Sequence, residues 1–217
     1  INKSKHQFKR NTMPKIILKN NSSQKKPKRG QELNEEEKKK IINKTRAQQR
    51  VKMVNHVWTA LGPLGLQQTW NEEAARKGKK GKNLFMEQTF FAYDPDLHIG
   101  MFNAMHFSTG KLLRLRNPFL VNNEDGSYTL TWQVNAEGHV AFLDDSLRVI
   151  VIRESNPDIF IEIHDLDTRR ENGQVTFKLP EKKNLTGLVH LYAFFTSNDG
   201  VNFSPDDYFV LGHHHVK

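Results

Sequence analysis

The hydrophobic period of this chain changes near Lys111, from 3.6 residues before it to 2 after it, and that change sets the order of its elements. Before it, Ala47, Val51, Val54, Trp58 and Leu61 recur at steps of four and three, on one face of a helix. Thr45-Arg46-Ala47-Gln48 has the form of a capping box, so a helix is predicted to start at Thr45 and to stop at Gly62-Pro63. Leu66, Trp70 and Ala74 predict a second helix, ended by Gly78 as a left-handed cap, and Leu84, Phe85, Gln88 and Phe91 a third helical turn or two. After the change, strands are predicted over 111–116, 128–132, 147–152, 159–163, 175–179, 188–195 and 208–211. Turn signals separate them at Asn123-Glu124-Asp125-Gly126, Glu137-Gly138, Ser155-Asn156-Pro157-Asp158, Glu171-Asn172-Gly173 and Asn198-Asp199-Gly200. Helices followed by regularly spaced strands predict an α+β chain: a helical hairpin, then an antiparallel β-sandwich.

Charge divides the chain differently. Residues 1–86 carry 22 Lys+Arg against 6 Asp+Glu, whereas residues 87–217 carry 11 against 18. Within residues 1–29 there are ten cations and no acid, in a background of Asn, Ser, Gln and Pro that offers little apolar surface to bury. The expected organisation is therefore a basic extended arm over 1–40, a helical region with a basic loop over 41–110, and a β-sandwich domain over 111–217. The block Glu32 to Lys40, acids first and bases after, suits a helix dipole and predicts a short helical lead-in to the Thr45 helix. A polycationic half calls for an acidic partner: nucleic acid, an anionic protein surface or a headgroup layer.

Chemistry is harder to place. The chain has no cysteine, so disulfides, thiolate metal sites and thiol catalysis are excluded. Arg76-Lys77-Gly78-Lys79-Lys80-Gly81-Lys82 is not a phosphate-binding P-loop, because its glycines are too close and no Ser or Thr follows the Lys. As a loop between helices it could still grip phosphates. His213-His214-His215 would point to alternate faces of a strand and makes a poor metal site. His98 and His106 lack a third ligand. Asp144-Asp145 and His164-Asp165-Leu166-Asp167 fall at strand ends, where Asp caps the backbone. Trp58, Trp70, Trp132 and Tyr192 are expected to be core. No nucleophile elbow, zinc-protease or nucleotide fingerprint occurs. Neither enzymatic activity, a cofactor nor a metal is expected.

Asn43-Lys44-Thr45-Arg46-Ala47-Gln48-Gln49-Arg50, Leu66-Gln67-Gln68-Thr69-Trp70-Asn71 and Lys82-Asn83-Leu84-Phe85 resemble segments of a family of uncharacterised Bacteroidota proteins. That family joins a helical N-terminal half, entered through an Asn-Pro-Lys-Thr-x-Ala-Gln-Gln-like motif, to an immunoglobulin- or fibronectin-like sandwich. Lys44 stands where the family usually has Pro, and a Lys-rich arm replaces its glycine-rich lead-in. The resemblance spans residues 40–211 and implies a fold without catalytic residues.

The functional expectation is a non-enzymatic structural or assembly protein, most concretely a phage-like virion component whose arm lies against capsid or packaged DNA. Lys25, Lys26, Lys28 and Arg29 in the arm and Lys79, Lys80 and Lys82 in the loop are the expected polyanion contacts. A ribosome- or nucleoid-associated accessory protein is the first alternative and a surface adhesion module the second. No run of apolar residues is long enough for a membrane span, and Ile16-Ile17-Leu18 is too short for a signal-peptide core. A virion or the host cytoplasm is the expected location, with Met13 an alternative natural start.

Overall fold

The computed structural model describes residues 34–94, 98–163, 166–180 and 187–211. Its first helix, α1 (Glu35–Leu61), starts ten residues before the predicted Thr45. The cap is Asn34, whose side chain accepts from Glu37 N at 2.8 Å while Glu37 Oε2 accepts from Asn34 N at 3.1 Å. Thr45 is interior, and its hydroxyl donates to Ile41 O at 2.9 Å instead of capping. Within the acid-then-base block expected to form a lead-in, Glu35 to Lys40 are thus the first turns of α1 itself, and Glu32 and Leu33 lie outside the described residues. Leu61 ends the helix at Gly62-Pro63, as predicted.

Two shorter helices follow, α2 (Gln67–Arg76) and α3 (Gly81–Thr89), separated by Gly78 at φ 63°. Their crossing leaves no room at Gly81, where a Cβ would lie 2.1 Å from Asn71 Oδ1 and 2.9 Å from Asn71 N. A single turn over Phe90–Ala92 extends α3, and Phe91 sits there largely exposed instead of on the packed face.

Among the described residues, seven antiparallel strands form two sheets. One has the order β1-β2-β5, from β1 (Arg116–Asn122), β2 (Ser127–Gln133) and β5 (Gln174–Lys178). The other has the order β4-β3-β6-β7, from β3 (Ser146–Arg153), β4 (Asn156–Glu162), β6 (Val189–Thr196) and β7 (Asp207–Leu211). Two predictions fail here. Lys111 to Leu115 is not a strand, because its amides are tied singly to separate segments: Leu112 N to Phe203 O, Leu113 N to Val140 O and Leu115 N to the side-chain Oδ2 of Asp207 at the start of β7. The turn predicted over Ser155 to Asp158 shortens to Glu154 and Ser155, and Asn156 already pairs with Arg153.

Packing explains which strands alternate and which do not. Leu130 and Trp132 on β2 and Val175 and Phe177 on β5 share one apolar cluster with Val149 and Val151 on β3 and Leu191, Ala193 and Phe195 on β6. The opposite face of β3 and β6 presents Ile150, Ile152, Tyr192 and Phe194 to a second cluster containing Val54, Leu61, Trp70, Phe85 and Phe107 from the helical region. The two central strands of the four-stranded sheet, β3 and β6, are therefore buried on both faces. Tyr192 OH donates to Phe102 O at 2.8 Å and Arg148 Nη2 to Leu64 O at 2.8 Å, which pins the helical region to that sheet by polar contacts as well.

Candidate polyanion interface

The C-terminal half of α1 is held by Met53, Val54, Val57 and Leu61. Its N-terminal half is different: every residue from Glu35 to Gln48 is exposed, a length of about 21 Å at 1.5 Å per residue. A helix half with no buried residue among the described residues gains little stability from a core, so its caps and side-chain pairs must hold it. Asn34 and Glu37 supply the cap, and Lys38–Glu35 at 2.8 Å and Lys40–Glu36 at 3.1 Å supply the pairs. No acid occurs between Glu37 and Glu72. Lys39, Lys44, Arg46 and Lys52 accordingly form no ion pair among the described residues. These four cations extend the charge of the arm towards the folded body.

The basic loop is more neutral than its sequence. Glu73 holds Arg76 at 3.3 Å and Lys77 at 2.9 Å, and Glu87 holds Lys79 at 2.6 Å. The Lys79 hydrogen bond and charge keep the Glu87 carboxyl below the usual carboxylate range. Lys80, in extended backbone, precedes α3 and Lys82 lies in its first turn; both are exposed and form no ion pair among the described residues. Of the expected contacts, Lys80 and Lys82 are thus presented to solvent and Lys79 is engaged. Lys25, Lys26, Lys28 and Arg29 lie outside the described residues.

No family model matches this chain, and no curated protein does either. Function must be read from its own surface.

Elsewhere the titratable groups serve the fold. Asp145 accepts from Phe142 N at 3.0 Å, the capping role expected of it, but it also meets Arg170 in a fully buried ion pair. His106 Nδ1 lies 2.9 Å from Asp206 Oδ1, while Phe107 N donates to Asp206 Oδ2 at 2.7 Å. His190 stacks flat on Phe102 at 3.6 Å, and its burial lowers its pKa. Between the β2–β3 and β6–β7 connections a cleft of about 380 Å³ carries Lys111, His139, Asp144 and Asp199. Asp199 there is spent on Ser197 Oγ and Val201 N, which hold its carboxyl low. Among the described residues no group of three or more His, Asp or Glu could hold a metal, and no helix is long and apolar enough to cross a membrane. His213 to His215, and His164 and Asp165, lie outside the described residues.

Asp207 is a carboxyl whose titration should be readable. Burial raises its pKa to about 6, against the opposing pull of Arg114 and Leu115 N. The folded state then holds a proton that the unfolded state releases near pH 4, so stability falls as pH rises from about 4 to 6 and stays lower above. Asp207→Asn removes that dependence. Urea denaturation of both proteins between pH 4 and 7 should show the wild type losing about 2 kcal/mol more than the variant across this window. Parallel curves would mean that Asp207 titrates alike in both states.

The α1 cations were missed as sites by sequence reasoning, although two signals pointed to them. One is the acid-free run after Glu37. The other, which only the structure supplies, is that no described residue before Met53 is fully buried.

Proposed function

We propose that this chain is a non-enzymatic assembly protein that grips a polyanion through its N-terminal arm and the unpacked half of α1. Its most concrete form is a phage-like virion component lying against packaged DNA. The observation that carries the reading is the exposed, acid-free stretch of α1 from Lys38 to Gln48, which continues the arm's charge on a capped helix. Lys80 and Lys82 offer a second, smaller contact. Each cation that meets a phosphate releases a counterion, so binding is salt-dependent and nearly indifferent to sequence. Ile41 and Ile42, about half exposed on the same helix, support burial of that half inside a larger assembly.

The two antiparallel sheets with a shared apolar cluster support an immunoglobulin- or fibronectin-like sandwich, and with it the proposed kinship to the Bacteroidota family. On this reading the sandwich and its docked helices are the folded body that the assembly holds, and the arm is the anchor.

The test is duplex-DNA binding by the full chain, followed by fluorescence anisotropy across a salt series. Replacing Lys39, Lys44, Arg46 and Lys52 by Gln should flatten the plot of log affinity against log salt by about 0.9 for each phosphate left without its cation, and weaken binding roughly equally for unrelated sequences. Unchanged affinity and slope would remove α1 from the interface. Co-sedimentation with a nuclease-resistant particle after a salt wash would favour the virion form; release by nuclease would favour a ribosome- or nucleoid-bound one.

A further inference from the structure

β4 is an edge strand: β3 is its sole neighbouring strand among the described residues, so its outer row of backbone groups faces away from the sheet. Such an edge is a template for strand addition unless it is blunted. Pro157 blunts only its start, since Pro lacks a donor, and the register slip between Ile152 and Arg153 bends the same stretch. Beyond the bend, Ile159, Ile161 and Ile163 line a groove of about 470 Å³ that runs to Leu64 at one side and Lys178 at the other. Ile159 remains 37% exposed. The edge reads Asp158-Ile159-Phe160-Ile161-Glu162: three apolar residues between two acids.

One stretch of the chain is the charge complement of this edge. Lys15-Ile16-Ile17-Leu18-Lys19 has three apolar residues, two of them β-branched isoleucines, between two bases. Laid antiparallel on β4, Lys15 falls beside Glu162, Ile16 beside Ile161, Ile17 beside Phe160, Leu18 beside Ile159 and Lys19 beside Asp158. Opposite charges then face each other at both ends, and cross-strand pairs of this kind stabilise a sheet. Glu162 already meets Arg148 at 2.6 Å, so Lys15 joins an existing pair, whereas Asp158 forms no ion pair among the described residues.

We propose that Lys15–Lys19 of a second copy of this chain adds as a strand to the β4 edge. Distance favours the second copy. The groove touches Leu64, just past the C-terminal end of α1, while the arm departs from Asn34 at the other end, about 40 Å away along a 27-residue helix. The 15 steps from Lys19 to Asn34 span at most about 50 Å, so reaching its own groove would demand an almost fully drawn-out connection. This inference rests on the assembly half of the reading above and not on the polyanion half.

The chain has no native cysteine, which makes directed cross-linking clean. Full-length Ile16→Cys is mixed with full-length Ile161→Cys without nucleic acid and oxidised. The expected result is a heterodimer formed roughly tenfold more than from Ile16→Cys with Val210→Cys, a control on the opposite sheet edge, because a disulfide closes only across about 7 Å or less between Cα atoms. Adding Ile17→Ser to the arm should abolish the excess while leaving all arm cations, and hence DNA binding, in place. Equal yields from the two mixtures overturn the proposal. So does a doubly substituted chain that closes only on itself at every dilution. Cross-linking without DNA affinity would sink the polyanion reading alone; DNA affinity without cross-linking would sink this inference alone.

Discussion

Arg170→Met should destabilise the protein by about 4 kcal/mol at pH 7, because it strands a carboxylate in the core. Arg170 is fully buried, and its guanidinium is fully employed: Nε donates to Asp145 Oδ2 at 3.0 Å, Nη1 to Asn135 Oδ1 at 2.9 Å and Nη2 to Leu113 O at 2.9 Å. Its face covers the Phe195 ring at 3.9 Å. One side chain thus ties the β2–β3 connection, the segment before β1 and strand β6. Burial pushes Asp145 up and Arg170 down, each partly offset by the other, so the pair holds its place by mutual compensation. Without the cation, Asp145 is raised further above its unfolded value. Folding then takes up a proton, and the variant's deficit should shrink as pH falls from 7 to 5. Adding Asp145→Asn, which can still accept from Phe142 N, should recover about half of the loss at pH 7, a sign of strong coupling between neighbours. Urea denaturation at both pH values measures all of this. A deficit that is the same at pH 5 and pH 7, or single-variant losses that simply add, would show that the charge pair is not what the site depends on.

No local pattern announces Arg170. Its partners stand 25, 35 and 57 residues away, and in sequence it is one of two arginines before a turn. Where the physics is local the sequence is legible. Gly62-Pro63 stops α1, Gly78 takes a left-handed conformation, and β2 and β5 alternate apolar and polar because one face is wet. The start of α1 was misread because two capping signals compete, at Asn34 and Thr45, and an interior Thr satisfies its hydroxyl on the preceding turn. Leu112, Leu113 and Leu115 mimic a strand, yet their amide partners are scattered over residues 140 to 207, so no ladder forms. The continuous apolar runs of β3 and β6 carried a message that periodicity alone does not give: both of their faces are covered. The exposed α1 surface was half legible. Charge marked it as basic, but only the packed structure distinguishes Lys39 and Arg46, which meet no acid, from Lys77 and Lys79, which do.

Trp70→Ala should cost about 4 kcal/mol and should weaken the strands as much as the helices. Trp70 is fully buried between helices, edge-on to Phe85 with centroids 5.0 Å apart, and its indole N–H donates to Phe107 O at 3.3 Å. Phe107 in turn packs against Tyr192 at 4.8 Å and Phe160 at 5.1 Å, on β6 and β4. Truncation therefore opens a cavity at the centre of the helical region and also releases the backbone that seats Phe107 on the sheet. If helices and four-stranded sheet share one core, they unfold together, and the loss is global. Amide exchange separates the alternatives, since protection in α2 and in β6 is read independently. The expected result is an equal fall in opening free energy for Trp70 neighbours in α2 and for Leu191 to Phe194 in β6, with one transition in urea. A loss confined to the helices, with β6 protection unchanged, would mean that the helical region opens as a separate unit. The two-faced burial of Ile150, Ile152, Tyr192 and Phe194 argues for the first outcome, because exposing those side chains on helix departure would cost the sheet the apolar cover of an entire face.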